Sequence, residues 1–103
     1  MKDASPLSIQ RMADNAAEAA GVMRALSNPS RLLILCQLVD TEKTVGELED
    51  ALALSQAYVS QQLARLRDEG LVAATREGRL MRYRLADPRV TPVIGVLYQQ
   101  YCK

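Results

Sequence analysis

Two thiols are the side chains with the most evident chemistry in this 103-residue sequence: Cys36 and Cys102, with no histidine anywhere in the chain. A thiolate can attack a peroxide or a sulfane sulfur, and a second thiol can then close a bridge. Zinc and other soft metals usually require three or four thiolate or imidazole ligands, and most activated nucleophiles need a histidine. The acidic residues are scattered and no glycine-rich phosphate loop is present. From these absences we expect a protein that is not an enzyme and has no metal site and no cofactor. Each thiol taken alone is either a reactive group or an inert, small hydrophobic side chain.

Arginine is concentrated in one part of the chain. Residues 1–54 contain five basic and eight acidic residues, whereas residues 55–90 contain seven arginines and four acids, although the net charge is only +1. The planar guanidinium group suits phosphate and guanine. This distribution favours a polyanionic partner, with a solvated surface as the alternative. The seven are Arg65, Arg67, Arg76, Arg79, Arg82, Arg84 and Arg89.

Residues 44–69 show the pattern of two helices joined by a short turn. Thr44-Val45-Gly46-Glu47 is typical of a capping box, and Ser55 can cap a second helix that ends before Gly70. The second helix has an apolar inner stripe and a polar outer side without acidic residues. An α-helix fits the DNA major groove, where glutamine can bind an adenine edge. The residues predicted to contact DNA from this helix are Ser55, Gln56, Ala57, Tyr58, Ser60, Gln61 and Arg65.

Residues 71–85 are predicted to form a hairpin, the wing. Two strand-like runs, 71–76 and 80–85, are joined by Glu77-Gly78-Arg79. In the second run, apolar side chains alternate with arginines, which predicts one inward and one basic face. Such arginines can contact phosphate or enter the minor groove. The wing residues predicted to contact DNA are Arg76, Arg79, Arg82 and Arg84.

Helices are predicted on both sides of this unit. Residues 8–26 carry a stripe made mostly of alanine, which suits close contact with another helix, and Asn28-Pro29 begins a short apolar helix. The last helix covers 88–102, and Pro92 leaves two possibilities: a late start capped by Thr91, or a distorted first turn. Residues 1–7 are predicted to be disordered. We therefore expect one mainly α domain over 1–103 with a small β-hairpin, the winged helix-turn-helix order ααααββα.

No apolar run approaches the roughly 20 residues that a membrane-spanning helix needs. Two cysteines are also too few for the disulfide framework of a small secreted domain. From these features we expect a soluble, cytoplasmic protein without a membrane partner.

Three ordered motifs resemble the ArsR/SmtB family of bacterial repressors. They are the segment ALSNPSRLLIL at 25–35, the segment SQAYVSQQLARL at 55–66, and the hairpin with Gly70-Leu71-Val72 and Glu77-Gly78-Arg79. The resemblance covers about residues 9–102. It implies a homodimer built through the first and last helices, which binds a palindromic operator in double-stranded DNA and is released by an inducer. One departure is Gln62, where many relatives have histidine; both side chains can form hydrogen bonds.

The inducer is suggested by what this sequence shares with particular branches. Metal-sensing relatives carry Cys-x-Cys in the helix after the capping box, or Asp/His pairs on the last helix, and both are missing here. The positions of Cys36 and Cys102 resemble those in the SqrR/BigR and HlyU branch, whose members sense persulfides or oxidants through two cysteines. The resemblance implies a repressor that releases its operator when Cys36 and Cys102 are bridged. The alternatives are a peroxide or thiol-oxidant sensor, a metal-responsive repressor, and a winged helix that contacts proteins without sensing.

Overall fold

The computed structural model describes residues 8–102, so the predicted disorder of residues 1–7 lies outside the described residues. Over this range the chain forms the predicted winged helix-turn-helix. The elements are α1 (Ile9–Leu26), α2 (Pro29–Gln37), β1 (Lys43–Thr44), α3 (Val45–Leu52), α4 (Gln56–Asp68), β2 (Val72–Glu77), β3 (Leu80–Leu85) and α5 (Val90–Tyr101).

The first four helices begin at the predicted polar caps. The side chains of Ser8, Asn28 and Ser55 each accept a hydrogen bond from the backbone amide three residues later. Thr44 and Glu47 form the full capping box, since each side chain accepts from the other residue's amide, at 3.2 and 2.8 Å. These bonds satisfy amides that have no partner within the helix, which explains why the helix starts could be predicted locally.

The wing contains one strand more than predicted. β2 and β3 pair antiparallel from Val72–Leu85 to Glu77–Leu80, and β1 pairs with the other edge of β3. β1 is two residues long, too short for an alternating pattern to be visible in the sequence. Gly70 and Gly78 have φ values of 79° and 64°, left-handed conformations that glycine adopts readily and that end α4 and turn the hairpin.

The start of α5 corrects the expectation for Pro92. The helix begins at Val90. Its cap position is Arg89, whose side chain makes no capping hydrogen bond and pairs with Asp87 and Glu18 instead, so Thr91 is not the cap. Pro92 is then the third residue of the helix. Amides in the first turn have no intrahelical acceptor, so a proline there removes no helix hydrogen bond and the helix need not start later.

The hydrophobic core lies between α2, α3, α4, the start of the wing and α5. α1 adds to it only at its carboxyl end, and its residues 9–20 are all exposed. Within residues 8–102, most of this five-turn helix is therefore left uncovered, although Glu18 forms an ion pair with Arg89. The buried apolar residues are Ala25, Leu26, Ile34, Leu35, Leu38, Leu48, Val59, Leu63, Leu66, Leu71, Val72, Val90 and Ile94. Among residues 8–102, no helix is both long and apolar enough to cross a membrane.

Candidate nucleic-acid interface and thiol pair

The outer side of α4 presents most of the side chains predicted to contact DNA. Gln56, Ala57, Gln61 and Arg65 are exposed, whereas Tyr58 and Ser60 are half-buried. Ser55 is exposed as well, but its hydroxyl accepts from the amide of Tyr58 at 3.2 Å. Ser55 therefore has a structural task at the start of the helix, while the two glutamines are free to face a base edge.

The wing and α4 share one open surface. A cavity of about 440 Å³ between them is lined by Gln56 and Ser60 of α4, by Arg79 and Tyr83 of the hairpin, and by part of α3. The structure therefore brings the predicted helix residues and the wing tip together, as a protein that grips two parts of a duplex requires.

The predicted wing arginines differ in their surroundings. Arg79 lies at the exposed tip. Arg76 donates to the carbonyl of Gly78 at 3.3 Å, and Arg84 donates to the hydroxyl of Thr75 at 2.6 Å. Arg82 is half-buried and its Nε donates to Glu77 at 2.9 Å. Arg82 therefore differs from the other wing arginines in lying between two carboxylates, those of Glu77 and Glu47.

A polar contact behind α4 was not predicted from the sequence. Gln62 is only 7% exposed, and its Oε1 accepts from Nη1 of Arg31 at 3.4 Å. The other guanidinium nitrogens of Arg31 donate to the carbonyls of Ala25 at 3.0 Å and Arg24 at 3.2 Å. One arginine on α2 thus joins the end of α1 to the inner side of α4. The sequence signal available was a polar residue at the i+3 position from Val59, within an otherwise apolar stripe.

Cys36 and Cys102 line the same cavity, between α2 and α5. Its volume is about 270 Å³, and Cys36 is half-buried while Cys102 is exposed. Burial raises the pKa of the Cys36 thiol above its ordinary value of 9.0, and the nearby Cys102 raises it further. The remaining lining residues are apolar or tyrosine: Leu32, Leu33, Ile94, Leu97, Tyr98 and Tyr101.

Comparison with known proteins agrees with the winged helix-turn-helix fold. Residues 28–74 match the family described as "Bacterial regulatory protein, arsR family". The transcriptional activator HlyU of Vibrio cholerae is 41% identical over 96% of this chain and 92% of its own length. The chain belongs to the arsR family.

Solved structures of arsR-family proteins superimpose well on this one. The transcriptional repressor BigR from Xylella fastidiosa gives a TM-score of 0.89 at 35% identity, over 94% of this chain and 99% of that one. A homodimeric winged helix-turn-helix DNA-binding domain from Mycobacterium bovis, described as a possible ArsR-family regulator, gives 0.75 at 31% identity, over 94% and 89%. This arsR-family chain is therefore a DNA-binding transcriptional regulator.

Proposed function

We propose that this regulator is a non-enzymatic homodimeric repressor that senses reactive sulfur species through Cys36 and Cys102 and releases a palindromic operator when the two are bridged. The observation that carries the proposal is that one apolar cavity, between a core helix and the last helix, contains both thiols. A bridge there would tie α5 to α2 and change how the two protomers present their α4 helices.

Dimerisation is supported by apolar side chains that remain uncovered on the terminal helices. α1 exposes Ile9, Met12 and Met23, and α5 exposes Val96, Tyr98 and Tyr101, with exposures from 54% to 82%. Apolar side chains concentrated on two adjoining helices mark an association surface. A twofold dimer through these helices gives the two α4 helices the symmetry of a palindrome. The homodimeric Mycobacterium bovis domain is a precedent for the assembly.

The positions of the thiols suggest an order of events. Cys102, the exposed thiol, attacks the outer sulfur of a low-molecular-weight persulfide RSSH, forms Cys102–SSH and releases RSH. Cys36 then attacks the protein-bound sulfur atom of this group, so that a disulfide forms and hydrogen sulfide leaves. If both thiols first become persulfides, the same attack gives a trisulfide, and overall two RSSH yield two RSH and one hydrogen sulfide.

The length of the bridge provides a means of selectivity. A direct disulfide requires Cα atoms within about 7 Å, whereas each added sulfur atom extends the reach. A peroxide can produce only the direct disulfide, through a sulfenic acid and loss of water. If the cavity holds the two thiols too far apart for a disulfide, sulfane sulfur can therefore bridge them and peroxide cannot.

The test combines mass spectrometry with DNA binding. Reduced protein treated with glutathione persulfide should give a peptide pair in which Cys36 and Cys102 are joined by a disulfide or, with one added sulfur atom, by a trisulfide. The treated protein should release a duplex selected from a randomised library. Cys36→Ser and Cys102→Ser should bind that duplex when reduced and keep it after treatment. Release that persists in the double variant would overturn thiol sensing but leave DNA binding intact.

Three other outcomes distinguish the remaining possibilities. Release by hydrogen peroxide alone would identify an oxidant sensor. Release by a metal ion would support a metal-responsive repressor, although no three potential ligands converge in residues 8–102 of one protomer. Duplex binding that is weak, indifferent to sequence and displaced by an acidic protein would favour a protein-interaction module.

A further inference from the structure

Arg82 occupies a different position from the arginine at the wing tip. It lies on the central strand β3, opposite Thr44 of β1 on one side and Thr75 of β2 on the other. Arg79 lies at the exposed end of the hairpin and lines the cavity shared with Gln56 of α4. Arg79 therefore lies at the tip of the hairpin, whereas Arg82 lies within the sheet.

Two carboxylates from different elements face the Arg82 guanidinium. Its Nε donates to Oε1 of Glu77 at 2.9 Å, and its Nη1 lies 3.8 Å from Oε1 of Glu47. The same Glu47 oxygen accepts from the amide of Thr44 at 2.8 Å and so closes the capping box of α3. Arg82 thus connects the wing to the first turn of the helix-turn-helix.

The charges at this point do not suit a phosphate ligand. The charges that act on one another here are the cations Arg82 and Lys43 and the carboxylates Glu42, Glu47 and Glu77, so an approaching phosphate would meet a locally negative group. The hydrogen bond to Glu77 also raises the Arg82 pKa further above its ordinary range. Arg79 has no comparable carboxylate in its described contacts, and its tip position allows it to reach the duplex backbone.

We propose that Arg82 is a positioning residue that sets the angle of the wing against α3 by pairing with Glu77 and Glu47, and that it does not bind phosphate. Arg79 then makes the phosphate contact of the wing. The inference rests on the DNA-binding half of the proposed function and is independent of thiol sensing.

Salt dependence separates the two roles. The logarithm of the binding constant falls with the logarithm of salt concentration with a slope of about −0.9 per phosphate contacted. In a dimer, Arg79→Gln should therefore reduce the magnitude of this slope by about 1.8. Arg82→Gln should change the slope by clearly less than this, because Arg82 makes no phosphate contact of its own, but should reduce the preference for the selected duplex over a mixed-sequence duplex of equal length by at least about fivefold. An equal loss of slope in both variants would overturn the proposal.

Glu77→Gln is a second variant with opposite expectations for the two roles. If Glu77 holds Arg82 in place, the variant should lower the preference for the selected duplex. If Glu77 only restrains an arginine that binds phosphate, the variant should increase the slope and the affinity for both duplexes. The second result would overturn the proposal.

Hydrogen exchange tests the inference without DNA. Arg82→Gln and Glu77→Gln should both accelerate exchange of β3 amides severalfold relative to Arg79→Gln, whereas α4 amides should exchange as in the wild type. Unchanged protection of β3 would overturn a positioning role. A wild-type protein that binds mixed-sequence DNA but selects no duplex would contradict the proposed operator binding instead, and the slopes and exchange rates would still decide the role of Arg82.

Discussion

Arg31 on α2 donates to the buried side-chain amide of Gln62 on α4, while its other nitrogens hold the last carbonyls of α1. The guanidinium therefore links three helices: α1, whose residues 9–20 are exposed, α2, which carries Cys36, and α4, which carries most of the residues predicted to contact DNA. Gln62 is only 7% exposed, so its side chain serves the contact between helices and is not available to contact a base.

Removal of Arg31 should destabilise the fold, because it leaves buried hydrogen-bond acceptors without their donor. Arg31→Met deprives the buried Gln62 amide oxygen and the Ala25 carbonyl of this donor, whereas the Arg24 carbonyl keeps its hydrogen bonds from Ser27. A buried polar group without a partner costs about 1–3 kcal/mol. The double variant Arg31→Met/Gln62→Met should cost less than the sum of the two single changes, because it removes both sides of the contact. Urea unfolding of the three variants measures this coupling. Strict additivity would mean that the contact contributes nothing to stability.

Charges on the uncovered face of the terminal helices should separate the protomers. Met23→Glu and Val96→Glu each place a carboxylate on a side chain that is more than half exposed in the protomer, so the fold itself should tolerate them. In a dimer interface the same carboxylate would be buried, and the dimer dissociation constant should rise by at least about tenfold, or 1.4 kcal/mol. Sedimentation equilibrium measures it. The control is Leu80→Glu, equally exposed but on the wing, which should leave the constant unchanged.

The capping box should make stability fall at low pH. Hydrogen bonding to the Thr44 amide, more than any other contact, lowers the pKa of Glu47 below its ordinary value of 4.5. A carboxyl group whose pKa is depressed in the folded state stabilises the protein above its unfolded pKa, and this contribution is lost as pH falls through the folded value. The free energy of unfolding of wild type relative to Glu47→Gln should therefore decrease below pH 4.5. Asp50→Asn, on the same helix but outside the capping box, is the control; a pH-independent difference for Glu47→Gln would contradict the expectation.

The two thiols should react with alkylating reagents at different rates. Cys102 is exposed, whereas Cys36 is half-buried with a raised pKa, so iodoacetamide at pH 8 should modify Cys102 first. In Cys102→Ser the pH midpoint for alkylation of Cys36 should move downward, because the charge of Cys102 no longer raises the pKa of Cys36, but should stay above that of an exposed thiol because burial remains. Mass spectrometry of timed reactions gives both rates. Faster modification of Cys36 in the wild type would reverse the proposed order of attack.

Local sequence signals were sufficient for the helices and the hairpin of this fold, but not for β1 or for the first residue of α5. Polar residues such as Ser55 indicate where helices start, because their side chains accept hydrogen bonds from amides three residues later. Gly70 and Gly78 indicate where the chain turns, because glycine adopts positive φ readily. The order of helices and hairpin, read with the family motifs, was therefore enough to predict the winged helix-turn-helix and the outer side of α4. These features depend on contacts within a few residues along the chain.

Contacts between distant residues were decided only by the tertiary structure. β1 exists because Lys43 and Thr44 meet β3 about 40 residues later, and a two-residue strand has no pattern of its own. The arginines of the wing were evident from the sequence. The sequence did not show that Arg82 forms an ion pair with Glu47, which lies 35 positions earlier in the chain. The common cavity of Cys36 and Cys102 likewise follows from the packing of α5 on α2. Side-chain spacing along a chain fixes local hydrogen bonds, whereas the partner of a charge or a thiol depends on how the helices pack in three dimensions.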